Sequence, residues 1–91
     1  MNNKQRKQLE RISALLEKMK VDLGDDIIPE IESIQEEEEE KYGNASEGLQ
    51  ATANYERMWE IADTLDGVVT NLNDVVSVIE DAISEIDGCC A

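Results

Sequence analysis

YERMWEIADTLDGVVTNLNDVVSVIEDAISEI, residues 55–86, decides the fold. Tyr55, Met58, Ala62, Leu65, Val69, Leu72, Val76, Ile79, Ile83 and Ile86 follow one another at steps of three and four without a slip, the spacing of one apolar seam along an α-helix that packs on a partner helix. Ile61, Val68, Val75 and Ala82 form a parallel row one place before Ala62, Val69, Val76 and Ile83. The apolar face is therefore about three positions in seven wide, which suits a bundle core better than a two-stranded zipper.

A partner is encoded upstream. Leu9, Ile12, Leu16, Met19 and Leu23 repeat the same steps, with Leu15 widening the face. Gly24, Asp25, Asp26 and Pro29 then interrupt the pattern. Proline lacks an N–H and crowds the carbonyl four residues back, here that of Asp25, so the helix is expected to kink or stop between Gly24 and Pro29. Ile27, Ile31 and Ile34 resume the pattern one residue out of step, the skip a kinked helix needs to keep its stripe toward one neighbour. The run Glu36–Glu40 should stay helical and wet.

Residues 43–51 hold two glycines, an Asn and a Ser and break every periodicity. The expected organisation is one domain: an arm 4–41, a turn 42–51, an arm 52–87 started by a cap at Thr52 or Asn54, and a frayed tail 88–91 after a left-handed Gly88; residues 1–3 should fray as well. Arms of equal length on a short turn make an all-α, long antiparallel helical hairpin. With 91 residues, no Phe, one Trp and two Tyr, so thin a hairpin leaves part of its face uncovered, and a four-helix bundle made by a dimer is the expected cover, with Trp59 and Val78 as candidates for the second contact.

Charge is placed unevenly. The net charge is −14, yet residues 1–20 carry Lys4, Arg6, Lys7, Arg11, Lys18 and Lys20 against Glu10 and Glu17, while the remainder carries twenty acids against Lys41 and Arg57. The body repels nucleic acid and anionic membranes, so neither is an expected partner. An antiparallel hairpin lays Lys4, Arg6, Lys7 and Arg11 beside Glu80, Asp81, Glu85 and Asp87. No continuous apolar run marks a signal or a membrane span, and Cys89 and Cys90 read as free thiols at one end, so the expected location is the cytoplasm.

The text EEEKYGNASEGLQAT, residues 38–52, resembles the loop of a group of short acidic helical-hairpin proteins from phages and mobile elements of Gram-positive bacteria. Tyr42, Asn44, Glu47, Leu49, Gln50 and Thr52 carry the likeness, and Ser46 stands where that group usually has a proline. The resemblance implies a phage or mobile-element setting and no particular activity.

Catalysis is not expected: there is no His, no glycine-rich phosphate loop, no nucleophile set beside a base and no ligand spacing for a metal, and no cofactor is implied. Two binding readings follow instead. In one, Glu30, Glu32, Glu36, Glu37, Glu38, Glu39 and Glu40 form an acidic surface that mimics DNA and occupies the basic groove of a host nucleic-acid-binding defence protein, such as a nuclease, restriction enzyme or CRISPR effector. In the other, an oligomer sequesters a signalling nucleotide, with Lys4, Arg6, Lys7 and Arg11 on its phosphates and Trp59 or a Tyr stacking on its base. A purely structural or assembly accessory would need only the seam Met58, Leu65, Val69, Leu72, Val76, Ile79, Ile83 and Ile86 and a charged face that keeps it soluble.

Overall fold

The computed structural model describes residues 1–43 and 53–91, with side chains through Lys41 and from Glu56 onward. Every element in it is helical: α1 spans Asn3–Asp22, a single π-helical turn spans Leu23–Ile27, α2 spans Ile28–Gly43 and α3 spans Ala53–Cys90. The chain forms a rod of 69 × 16 × 14 Å. The loop residues Asn44, Glu47, Leu49, Gln50 and Thr52 lie outside the described residues, as does the turn expected around them apart from Tyr42 and Gly43, which close α2. Asn54 falls inside α3 rather than at its cap.

Three contacts between the arms set direction and register. Ser13 Oγ donates to Asp87 Oδ1 at 3.2 Å, Lys20 Nζ lies 4.0 Å from Glu80 Oε1, and Gln35 Nε2 donates to Asp66 Oδ1 at 3.3 Å. As the first number rises the second falls, so the arms run antiparallel. The first two pairs share one register, and the third is offset from it by a single residue.

The π turn accounts for that offset. Ile28 donates its N–H to the carbonyl of Leu23, five residues back, where an α-helix would reach four. Right-handed helical backbone continues through both Leu23 and Ile28, so Gly24–Pro29 marks one wide turn and not a stop. Pro29 has no N–H to give Asp25, and a wider turn relieves the crowding of its ring while absorbing one extra residue. The inward-facing residues of the first arm are consequently Leu9, Ser13, Leu16, Lys20 and Leu23, then Ile28, Ile31, Gln35 and Glu38, with a single step of five at the turn. Ile28 is 5% exposed, the most buried side chain described.

This corrects the expected stripe of the first arm. Ile12 and Met19 are 41% and 53% exposed, and Ile27 and Ile34 are exposed too. They flank the Leu9–Leu16–Leu23 row on one side, whereas α3 covers the other side, where Ser13, Lys20 and Gln35 meet acids. The second arm behaves as its spacing predicts. Met58, Leu65, Val69, Leu72, Val76, Ile83 and Ile86 are half-buried, Ala62 and Ile79 are buried, and the helix runs unbroken through Gly67.

Two ends differ from expectation. Asn2 accepts from the Gln5 N–H at 2.8 Å, and Gln5 Oε1 accepts from the Asn2 N–H at 3.2 Å. This reciprocal pair orders a start that composition alone marks as frayed. At the other end α3 passes through Gly88 without a positive φ and reaches Cys90, which is half-buried one step along the seam from Ile86. Packing there offsets the roughly 1 kcal/mol that a helical glycine costs. Both cysteines are free thiols, and no described helix is long and apolar enough to cross a membrane.

Deleting Gly24 should convert the wide turn to an ordinary α-turn and leave every seam residue in phase. The deletion variant is expected to unfold at the same or a higher temperature, and a large drop would show that the step of five does not set the stripe. A Cβ on Gly67 meets nothing within 4 Å. Gly67→Ala should therefore stabilise the chain by about 0.5–1 kcal/mol in denaturant titration.

Candidate functional site

The register sorts the flanks of the seam onto two sides of the rod. On one side lie the residues that follow the Leu9 and Met58 rows: Glu10, Glu17, Glu32 and Glu39 from the first arm, and Trp59, Asp66, Glu80 and Asp87 from the second. This side is polar and mostly acidic. On the other lie the residues that precede Ser13 and Ala62 and their successors, which are apolar.

The acidic side is densest toward the Gly43 end. Glu32, Glu36 and Glu39 are exposed there on α2, whereas Glu30 and Glu37, also exposed, stand at the edge of the apolar side and Glu40 on the face turned away from α3. Glu38 turns inward instead: its side chain is 17% exposed and its Oε1 lies 3.0 Å from Lys41 Nζ. That hydrogen bond, and then the charge of Glu38, raise the Lys41 pKa above its usual value. One member of the expected acidic surface is thus engaged by a neighbouring lysine.

The second arm adds what the glutamate run alone could not reveal. A shallow groove between α2 and α3 is lined by Gln35, Glu39, Trp59, Ala62, Asp63 and Asp66. Gln35 donates to Glu39 at 3.2 Å as well as to Asp66, so its amide ties the two carboxylate rows together. Trp59 stands 51% exposed at the edge of the groove. An indole face ringed by carboxylates suits a cation that can stack, above all a guanidinium. Asp63, Asp66 and Trp59 join Glu32, Glu36 and Glu39 only through the antiparallel register, which periodicity on one arm does not report.

At the opposite end the basic start does not pair as expected. Leu9 lies level with Ala91 in this register, so none of the expected acids Glu80, Asp81, Glu85 and Asp87 stands opposite Lys4, Arg6 or Lys7. Among the described residues none of Lys4, Arg6, Lys7 and Arg11 makes an ion pair, and Lys20 alone of the first twenty residues bridges to the other arm. Lys4, Lys7 and Arg11 line an open groove with Asn3 and Gln8, while Arg6 lies outside it. Among the described residues no three His, Cys, Asp or Glu side chains are grouped to hold a metal ion.

No protein-family model, curated protein or solved structure matches the chain.

The carboxylates around Trp59 should concentrate cations at the indole. Caesium is expected to quench its fluorescence more strongly than iodide at neutral pH, with the gap shrinking in high salt. Equal quenching by the two ions at low salt would contradict the acidic groove.

Proposed function

We propose that this protein acts by binding, as a small acidic interaction protein of a phage or mobile element that occupies the cation-rich groove of a host nucleic-acid-binding defence protein, in the manner of a DNA mimic. The observation that carries this reading is the double row of exposed carboxylates: Glu32, Glu36 and Glu39 along α2, and Asp63 and Asp66 along α3, across a groove that ends at exposed Trp59. Successive turns of a helix place such groups about 6 Å apart, close to the spacing of backbone phosphates, and a helix holds them without further ordering on binding. Charge of this density accelerates encounter with a basic surface, while the indole gives the complex one stacking contact. In this reading the rod bends at the wide turn and works as a pair of hairpins in a four-helix bundle, located in the host cytoplasm.

The runner-up is an oligomer that binds a small phosphorylated nucleotide. Lys4, Lys7 and Arg11, which line one open groove and make no ion pair among the described residues, favour it.

Capture from host lysate at low salt separates the two. For the mimic, the captured protein is released by duplex DNA and by moderate salt, and replacing Glu32, Glu36, Glu39 and Glu40 with Gln abolishes capture. Capture that withstands both competitors and survives the substitutions would defeat it. A nucleotide binder instead gains thermal stability from its ligand, loses that gain at Lys7→Ala or Arg11→Ala, and is indifferent to the glutamates.

A further inference from the structure

The hairpin is too thin to enclose its own apolar surface. Only Ile28, Ala62 and Ile79 among the described residues are buried, and the chain exposes 6549 Å² against about 5300 Å² for a compact monomer of its size. Apolar residues of both arms are gathered on one side. Ile12, Met19, Ile27 and Ile34 precede the inward residues Ser13, Lys20, Ile28 and Gln35, and Ile61, Val68, Val75 and Ala82 precede Ala62, Val69, Val76 and Ile83. In an antiparallel pair these two rows fall on the same side. Leu15 and Val78, both more than half exposed, widen that face at its outer edges. From Ile12 to Ile34 it runs about 33 Å and is two helices wide, on the order of 700 Å², near the roughly 800 Å² that each partner contributes to a stable interface.

The pattern on this face is symmetric about one level of the rod. Ile12 and Ile34, like Met19 and Ile27, are equidistant from Leu23, and on the other arm Val68 and Ala82 are equidistant from Val75. The register set by Ser13 with Asp87 and Lys20 with Glu80 puts Leu23 within about 3 Å of Val75 along the rod. The charges at the edge are antisymmetric about the same level. Arg11 and Lys18 flank Leu15 one helical turn away on either side, and Glu30 and Glu37 flank Ile34 in the same way; Arg11 and Glu37, and Lys18 and Glu30, are equidistant from Gly24.

We infer that a second copy of this chain covers the face, turned end for end about a two-fold axis that crosses the rod at the level of the wide turn. This deepens the pairing of hairpins proposed above and rests on it. Rotation about that axis lays the apolar rows on themselves and sets Glu30 and Glu37 of one copy beside Lys18 and Arg11 of the other. It also separates the two acidic ends. Residues 30–66 carry twelve acids against Lys41 and Arg57, and a side-by-side pair with the ends aligned would stack these charges on each other. The acidic groove and Trp59 lie on the opposite side of each hairpin and remain open, one at each end of the pair.

Sedimentation equilibrium should return twice the chain mass, and Ile27→Glu, at an exposed position, should leave a helical monomer or weaken pairing by roughly thirtyfold or more. Orientation is read in a Cys89→Ser, Cys90→Ser background carrying Val75→Cys. Under a mild oxidant this thiol meets its own copy across the axis and gives a disulfide-linked dimer, whereas the same background with Ile61→Cys stays unlinked. A monomeric wild type would overturn both the pairing and this arrangement. A dimer that resists Ile27→Glu, or that links at Ile61 and not at Val75, would leave the pairing intact and overturn the arrangement alone.

Discussion

A single step of five residues, Leu23 to Ile28, holds this hairpin in phase. Had the first arm been a uniform α-helix, every inward residue after Leu23 would have turned away by one position, about 100° around the axis. Ile28 would then have left the interface and Ile27 entered it. The wide turn absorbs the extra residue where Pro29 already denies the helix a hydrogen bond. Ser13 and Gln35, on either side of it, can therefore both reach acids on the one straight helix opposite.

Phase keeping is also what gives the rod two unlike sides. Because the offset is absorbed at one place, Glu10 and Glu17 share a side with Glu32 and Glu39, and Ile12 and Met19 share the other with Ile27 and Ile34. The seam between those sides is not uniformly apolar. Ser13, Lys20, Gln35 and Glu38 occupy inward positions on the first arm, whereas every described inward position of the second is apolar. Polar residues at such positions lower stability but penalise other alignments, because a slide by one heptad leaves one of Lys20 and Ser13 without a carboxylate.

From Met58 onward the second arm was legible residue by residue, since its seam is fixed by spacing alone and carries no competing row of equal strength; the side chain of Tyr55, the first residue of that seam, lies outside those described. The first arm was legible only in part. Its Leu9, Leu16 and Leu23 row was evident, but the residues completing the face could be Ile12 and Met19 or Ser13 and Lys20, and hydrophobicity favours the former. The observed choice depends on Asp87 and Glu80, more than fifty residues away, and no local pattern contains that information. Asp63 and Asp66 escaped the site for the same reason, Trp59 was assigned to the bases or to a second helical contact rather than to the carboxylates it stands beside, and the displacement of Lys4, Arg6 and Lys7 from the expected acids likewise follows from a register and not from the charges themselves. The Asn2 cap had a local signal, Gln5 three residues on, masked by its position at the start of the chain.

The unequal polarity of the two arms bears on how the protein is made. The greasier arm, α3, is the one that would clump with its own kind if it were left alone in water. It is also translated after α1 and α2. By the time its valines and isoleucines leave the ribosome, a more soluble mate with matching contours has already emerged and stands ready to receive them, so the order of synthesis shields the sticky half from its neighbours.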